Sequence, residues 1–205
     1  MREKQIILAA KVLSVVFTPF YLPLLGLVSL LTLTYLSLLP LTYKLFLLFT
    51  FWMFTVFVPT MIIRLYRRYQ GWSLFELASR ERRVIPYVIS IVSYLLCYYI
   101  MVAAHVPHFL GTILIASLVI QVVCALVNLF VKISTHTAAI GGVTGALLAF
   151  SLIFGFNPVW WLCVVLLIAG LLGTCRMILR QHSLHQVVIG YLVGVVCAFV
   201  AVLVF

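Results

Sequence analysis

Residues 184–205 read Leu184-His185-Gln186-Val187-Val188-Ile189-Gly190-Tyr191-Leu192-Val193-Gly194-Val195-Val196-Cys197-Ala198-Phe199-Val200-Ala201-Val202-Leu203-Val204-Phe205, and no charged side chain follows His185. A helix needs about 20 apolar residues to cross a hydrocarbon core of about 30 Å, at about 1.5 Å per residue. This stretch is that long, and far too long for a core strand. Working back along the chain, apolar runs of similar length recur at 159–177, 137–155, 109–130, 86–104, 44–64 and 12–37. Together they predict an all-α fold: a polytopic transmembrane helical bundle in one domain, 1–205. The first run is interrupted by Thr18-Pro19-Phe20-Tyr21-Leu22-Pro23. Proline removes a backbone donor and clashes with the preceding turn, so that segment is expected to be kinked or partly interfacial. The count is therefore six to seven spans. It lacks a small-residue cleavage site and reads as a retained span, not a signal peptide.

Composition agrees. Hydrophobic residues make up 66% of the chain and charged ones 8%, against roughly a quarter charged in soluble domains. The five cysteines include no CxxC pair and read as small buried hydrophobes. The glycine pairs Gly141/Gly145 and Gly190/Gly194 have the GxxxG spacing that lets helix backbones approach closely.

Charge is distributed unevenly among the connections. Lys and Arg number 13 against 3 acids, for a net +10. The connections Leu38–Tyr43, His105–His108 and Gly155–Pro158 are nearly neutral, with Lys44 beside the first and Trp160 and Trp161 after the last. The other side holds Arg2, Lys4 and Lys11, the 65–85 loop, Lys132, Arg176 and Arg180. Seven spans would put all of these on one face. Short basic clusters between apolar spans suit anionic lipid or an anionic substrate, not nucleic acid. Basic loops stay in the cytoplasm, so the expected location is a multi-pass protein of a prokaryotic inner membrane with its site facing the cytoplasm.

Three clusters on the charged face carry the candidate chemistry: Ser79-Arg80-Glu81-Arg82-Arg83-Val84-Ile85-Pro86, Lys132-Ile133-Ser134-Thr135-His136, and Arg176 through Gln186. Each has an ordinary explanation. Basic runs set topology, Ser134 fits a helix N-cap, and Ser183 with Gln186 fits an S-x-x-Q capping box. Together they supply histidines, guanidinium groups, a lysine and a hydroxyl at a helix start. A phosphate ester calls for that set. Arginine binds phosphate oxygens in bidentate fashion, helix N-termini attract anions, and paired histidines can act as nucleophile and acid.

The third cluster resembles the S-R-x5-H-x3-D signature of the type 2 phosphatidic acid phosphatase superfamily, here Cys175-Arg176, five residues, His182, three residues, Gln186. Ile133-Ser134-Thr135-His136 resembles its P-S-G-H motif, and the first cluster resembles K-x6-R-P loosely, with Glu76 where the lysine would stand. The resemblance covers about residues 76–200. It implies an integral membrane lipid phosphate phosphatase, metal-independent and without a cofactor, working through a phosphohistidine. Its implied catalytic residues are His182 as nucleophile, His136 as general acid and then base, and Arg176 as phosphate clamp. Arg83, then Arg80, Lys132 and Ser134 would bind the phosphate. Gln186 replaces the family's aspartate and would orient His182 from one turn away, without supplying charge. His185 is a further neighbour. The expected partners are a lipid phosphate substrate and membrane lipids, with no nucleic acid and no obligatory protein partner. The alternatives are a phosphotransferase of the same superfamily, or a non-catalytic transporter or scaffold. A transporter would align polar groups at mid-depth, where Gln121 and Asn128 are the main candidates.

Overall fold

The computed structural model describes residues 2–33, 35–71 and 84–205. Among the described residues every regular element is helical: α1 Arg2–Val16, α2 Leu22–Leu33, α3 Leu41–Phe51, α4 Val58–Tyr69, α5 Val84–Ala103, α6 His108–Phe130, α7 Thr135–Phe154, α8 Val159–Ile178 and α9 Leu184–Val204. Among the described residues, six helical stretches are long and apolar enough to cross a membrane, one of them the continuous Leu41–Tyr69. The chain is thus a multi-pass helical bundle.

The interrupted first run resolves into two helices. The break falls between Val16 and Leu22, at Pro19, where the missing N–H ends the helix. At 12 residues, α2 spans only about 18 Å. It is nevertheless part of the bundle, since Leu27, Leu30 and Leu31 are buried in the core. A 3-10 turn, Tyr35–Leu38, continues it to the neutral end, where Lys44 Nζ donates to the Ser37 carbonyl at 2.5 Å.

The second span runs longer than the apolar run 44–64 because α4 continues through Arg64, Arg67 and Arg68. Cations in a last helical turn offset its exposed carbonyls. Trp52–Phe57 form a π-helical turn inside this span. The Ser93 hydroxyl donates to the Phe54 carbonyl there at 2.5 Å, meeting one of the acceptors that a π-turn displaces.

The most extensive helix contact in the bundle joins α7 and α9. Both glycine pairs take part. A Cβ on Gly141 would strike the Tyr191 carbonyl, one on Gly145 the Val195 carbonyl, and one on Gly194 the Ala138 carbonyl. A Cβ on Gly190 would come within 2.7 Å of the Ser134 carbonyl. The two backbones are therefore in direct contact from Ser134 to Gly145 on one side and from Gly190 to Phe199 on the other. In a bilayer, where lipid is as apolar as leucine, such close packing is what holds helices together. This contact fixes how the starts of α7 and α9 meet.

Candidate active site

The site begins with how α8 ends. Gln181 N–H donates to the Arg176 carbonyl at 3.1 Å and Arg180 N–H to the Met177 carbonyl at 2.9 Å, the paired bonds of a Schellman ending. Arg180 occupies the left-handed position at φ 52, which glycine normally takes because it has no Cβ to clash. The turn carries the chain back into the end of the bundle, so that His182 is only 7% exposed while Arg180 and Gln181 stay outside. Arg176, in the last turn of α8, is likewise buried, at 9%.

Ser183 then caps α9. Gln186 Oε1 accepts from Ser183 N–H at 3.3 Å and lies 3.1 Å from His182 Nδ1. A backbone N–H can only donate, so the amide atom facing it is the oxygen and not the NH2 group. Nδ1 of His182 must then donate to the same oxygen, which leaves the lone pair on Nε2. One atom of Gln186 thus makes both contacts, to the Ser183 N–H of the helix cap and to the His182 ring.

The second cluster meets the third through the backbone. Ser134 N–H donates to the Gln186 carbonyl at 3.2 Å. Ser134 is fully buried and is the N-cap of α7, its Oγ accepting from Thr137 N–H at 3.4 Å. Its hydroxyl proton is still available for donation, because capping uses only the oxygen lone pair. Lys132 is half-buried in the link before it. His136 lies in the first turn of α7, its Nε2 3.2 Å from the Ser14 carbonyl of α1. A carbonyl only accepts, so Nε2 carries the hydrogen and Nδ1, a buried atom, keeps the lone pair.

Most residues expected from the sequence are accounted for at this end of the bundle. His182, Gln186 and Ser134 are joined by hydrogen bonds; His136 follows Ser134 by two residues and is bonded to α1, and Arg176 and Lys132 lie in the adjoining segments. Arg83 and Arg80 lie in 72–83, outside the described residues. His185 is exposed on the outer side of α9. Ser14 was not expected. Its contribution is a main-chain carbonyl, which no residue type advertises.

A cavity of about 350 Å³ is lined by His136 and Thr135 and extends into the bundle between α2, α5, α6 and α7. Its lining is mainly apolar. The polar side chains of Tyr94 and Gln121 are both on its wall. Comparison with protein-family models, with curated proteins and with solved structures finds no match for this chain.

Proposed function

We propose that this protein is a lipid phosphate phosphatase that cleaves a phosphomonoester or diphosphate through a phosphohistidine. The observation that carries the proposal is Gln186 Oε1 lying 3.1 Å from His182 Nδ1 while accepting from Ser183 N–H. This arrangement sets the tautomer that a nucleophilic imidazole needs. His182 Nε2 attacks phosphorus, the bond to the leaving oxygen breaks, and the lipid alcohol (or, from a diphosphate, the lipid monophosphate) leaves with a proton from His136. Because His136 Nε2–H is bound to the Ser14 carbonyl, that proton is carried on Nδ1. Water then attacks the phosphohistidine with His136 Nδ1 as base, returning phosphate and His182. Arg176, Lys132, the Ser134 hydroxyl and the arginines Arg83 and Arg80 offset the phosphate charge.

With only three carboxylates in the chain, cations and not a metal are assigned to neutralise the phosphate. The reading is also supported by the membrane setting. A lipid keeps its chain in the bilayer while its phosphate reaches the charged end. We place that end on the cytoplasmic face of a prokaryotic inner membrane, because Arg64, Arg67 and Arg68 flank a span without being needed for phosphate binding.

The test is phosphate release from a panel of lipid phosphates by detergent-purified protein, wild type beside His182→Ala. Release by the wild type, lost in the variant, is the expected result. Release that survives His182→Ala would overturn the mechanism. No release from any lipid would overturn the hydrolase assignment.

A further inference from the structure

The cavity beside His136 is a channel and not a chamber. One face of α7 lines it from end to end, through His136, Ala139, Val143, Ala146 and Phe150. These positions recur every three to four residues, which places them in one row along the helix. Fourteen residues separate the first from the last, a rise of about 21 Å. The cavity, of about 350 Å³, follows that row. The row is shallow at Ala139 and Ala146, where small side chains leave room, and it ends at the aromatic ring of Phe150. Phe156 and Trp161 also line the cavity.

An apolar space of this size is poorly served by water, which needs polar partners. Leaving it empty forfeits the packing of all its walls. An apolar occupant of matching length resolves both costs. We propose that the channel holds one hydrocarbon chain of the substrate, with the phosphate at His136 and His182 and the chain end against Phe150. The inference rests on the phosphatase reading and names its substrate class: a lipid phosphate with a long, slender chain drawn out of the bilayer into the protein. Phe150 acts as the stop that sets how much chain is accepted. One feature favours the substrate over a bystander lipid: the row on α7 that lines the cavity begins with His136, the candidate general acid.

The experiment uses hexadecyl phosphonate with a diazirine at its chain end, photolysed in the detergent-purified full-length protein, and octyl phosphonate labelled in the same way. A phosphonate is not hydrolysed, so labelling does not depend on turnover. Hexadecyl label is expected around Phe150 and Phe156, and octyl label near Ala139 and Val143. Ala146→Phe should abolish the far-end hexadecyl label and keep the octyl label. Ser117→Phe, which fills the channel from the α6 wall, should do the same if the first variant does not fold. Hexadecyl label spread over the outward-facing Leu152, Ile153 and Leu167, or unchanged in the folded blocking variants, would overturn the channel. Hydrolysis of hexadecyl phosphate, measured alongside, separates the two claims. Phosphate release with label on the outer surface retires the channel alone. Channel label without release retires the phosphatase and leaves the channel.

Discussion

At the charged end of the bundle His182 is buried and held by Gln186, and His136 is half-buried and held by the Ser14 carbonyl. At the neutral end His105 and His108 are both exposed, and His108 makes only a long 3.4 Å contact with the Tyr98 hydroxyl. The two ends nevertheless use the same turn. α5 is followed by His105 two residues past its end, as α8 is by Arg180. Each places a residue other than glycine at φ 52, with His105 N–H donating to the Val102 carbonyl and Val106 N–H to the Met101 carbonyl. The difference lies in the residues beyond the turn. After His105 come Val106 and Pro107, and α6 begins at once with His108 in its first, exposed turn. After Arg180 the chain inserts Gln181, His182 and Ser183 before α9 and folds Gln186 back over them. An imidazole is buried only where its polar atoms are met, since burying an unmet polar group costs a few kcal/mol. The neutral end has the histidines without the partners, so they stay at the surface.

The sharpest way to break this comparison is to remove a histidine from each end in turn. In a lipid phosphate release assay His182→Ala should lower turnover by roughly 10³-fold or more, as for loss of a nucleophile. His108→Ala should stay within about a factor of two, as expected for a side chain outside any site. Equal losses at both ends would mean that the histidines act through stability alone.

Gln186 sets the next scale. Gln186→Leu removes the acceptor from both His182 Nδ1–H and Ser183 N–H, and turnover should fall by roughly 10²-fold. Gln186→Glu keeps the length and the oxygen and adds charge, so turnover should be kept or raised. Aspartate is one methylene shorter and reaches less well between the two donors. If Gln186→Glu were as poor as Gln186→Leu, the histidine-orienting role would be wrong.

Ser134→Ala removes the cap on Thr137 N–H and should cost about 1 kcal/mol in thermal or denaturant unfolding. It should lower turnover more than that stability loss explains if the hydroxyl also meets phosphate. The smallest effects sharpen the comparison of the turns themselves. Arg180→Gly and His105→Gly should each stabilise the protein by about 1 kcal/mol or less, by removing the left-handed Cβ penalty. Only Arg180→Gly should also disturb turnover, because only that turn delivers a buried histidine. Equal stability gains with no difference in turnover would show that the Arg180 turn is a chain reversal and nothing more.

Much of the site can be read from local sequence because its contacts are local. His182 and Gln186 are four residues apart, one helical turn, and Ser183 and Gln186 have capping-box spacing, so both roles of Gln186 were legible. That one oxygen serves both was not, since spacing says nothing about which lone pair points where. The span boundaries were legible to within a few residues because each apolar run ends at a cap, a proline or a charge. The first run was the exception. Pro19 and Pro23 signalled the break, but whether the remainder crosses the bilayer depended on α2 being too short and packing inside the bundle regardless.

By itself, the sequence determined a helical membrane protein with its cations at one end, the glycine pairs that let helices touch, and the residue types that suit a phosphate. These follow from hydropathy, period and side-chain chemistry, which act over one or two helical turns. Only the tertiary structure decided that the Ser134 N–H meets the Gln186 carbonyl, that the Ser14 carbonyl holds His136 from 122 positions away, and that a channel runs beside it. Those depend on how four or more helices pack. In a bilayer that packing is set by backbone contact at glycines such as Gly194, whose effect on distant residues no local pattern encodes.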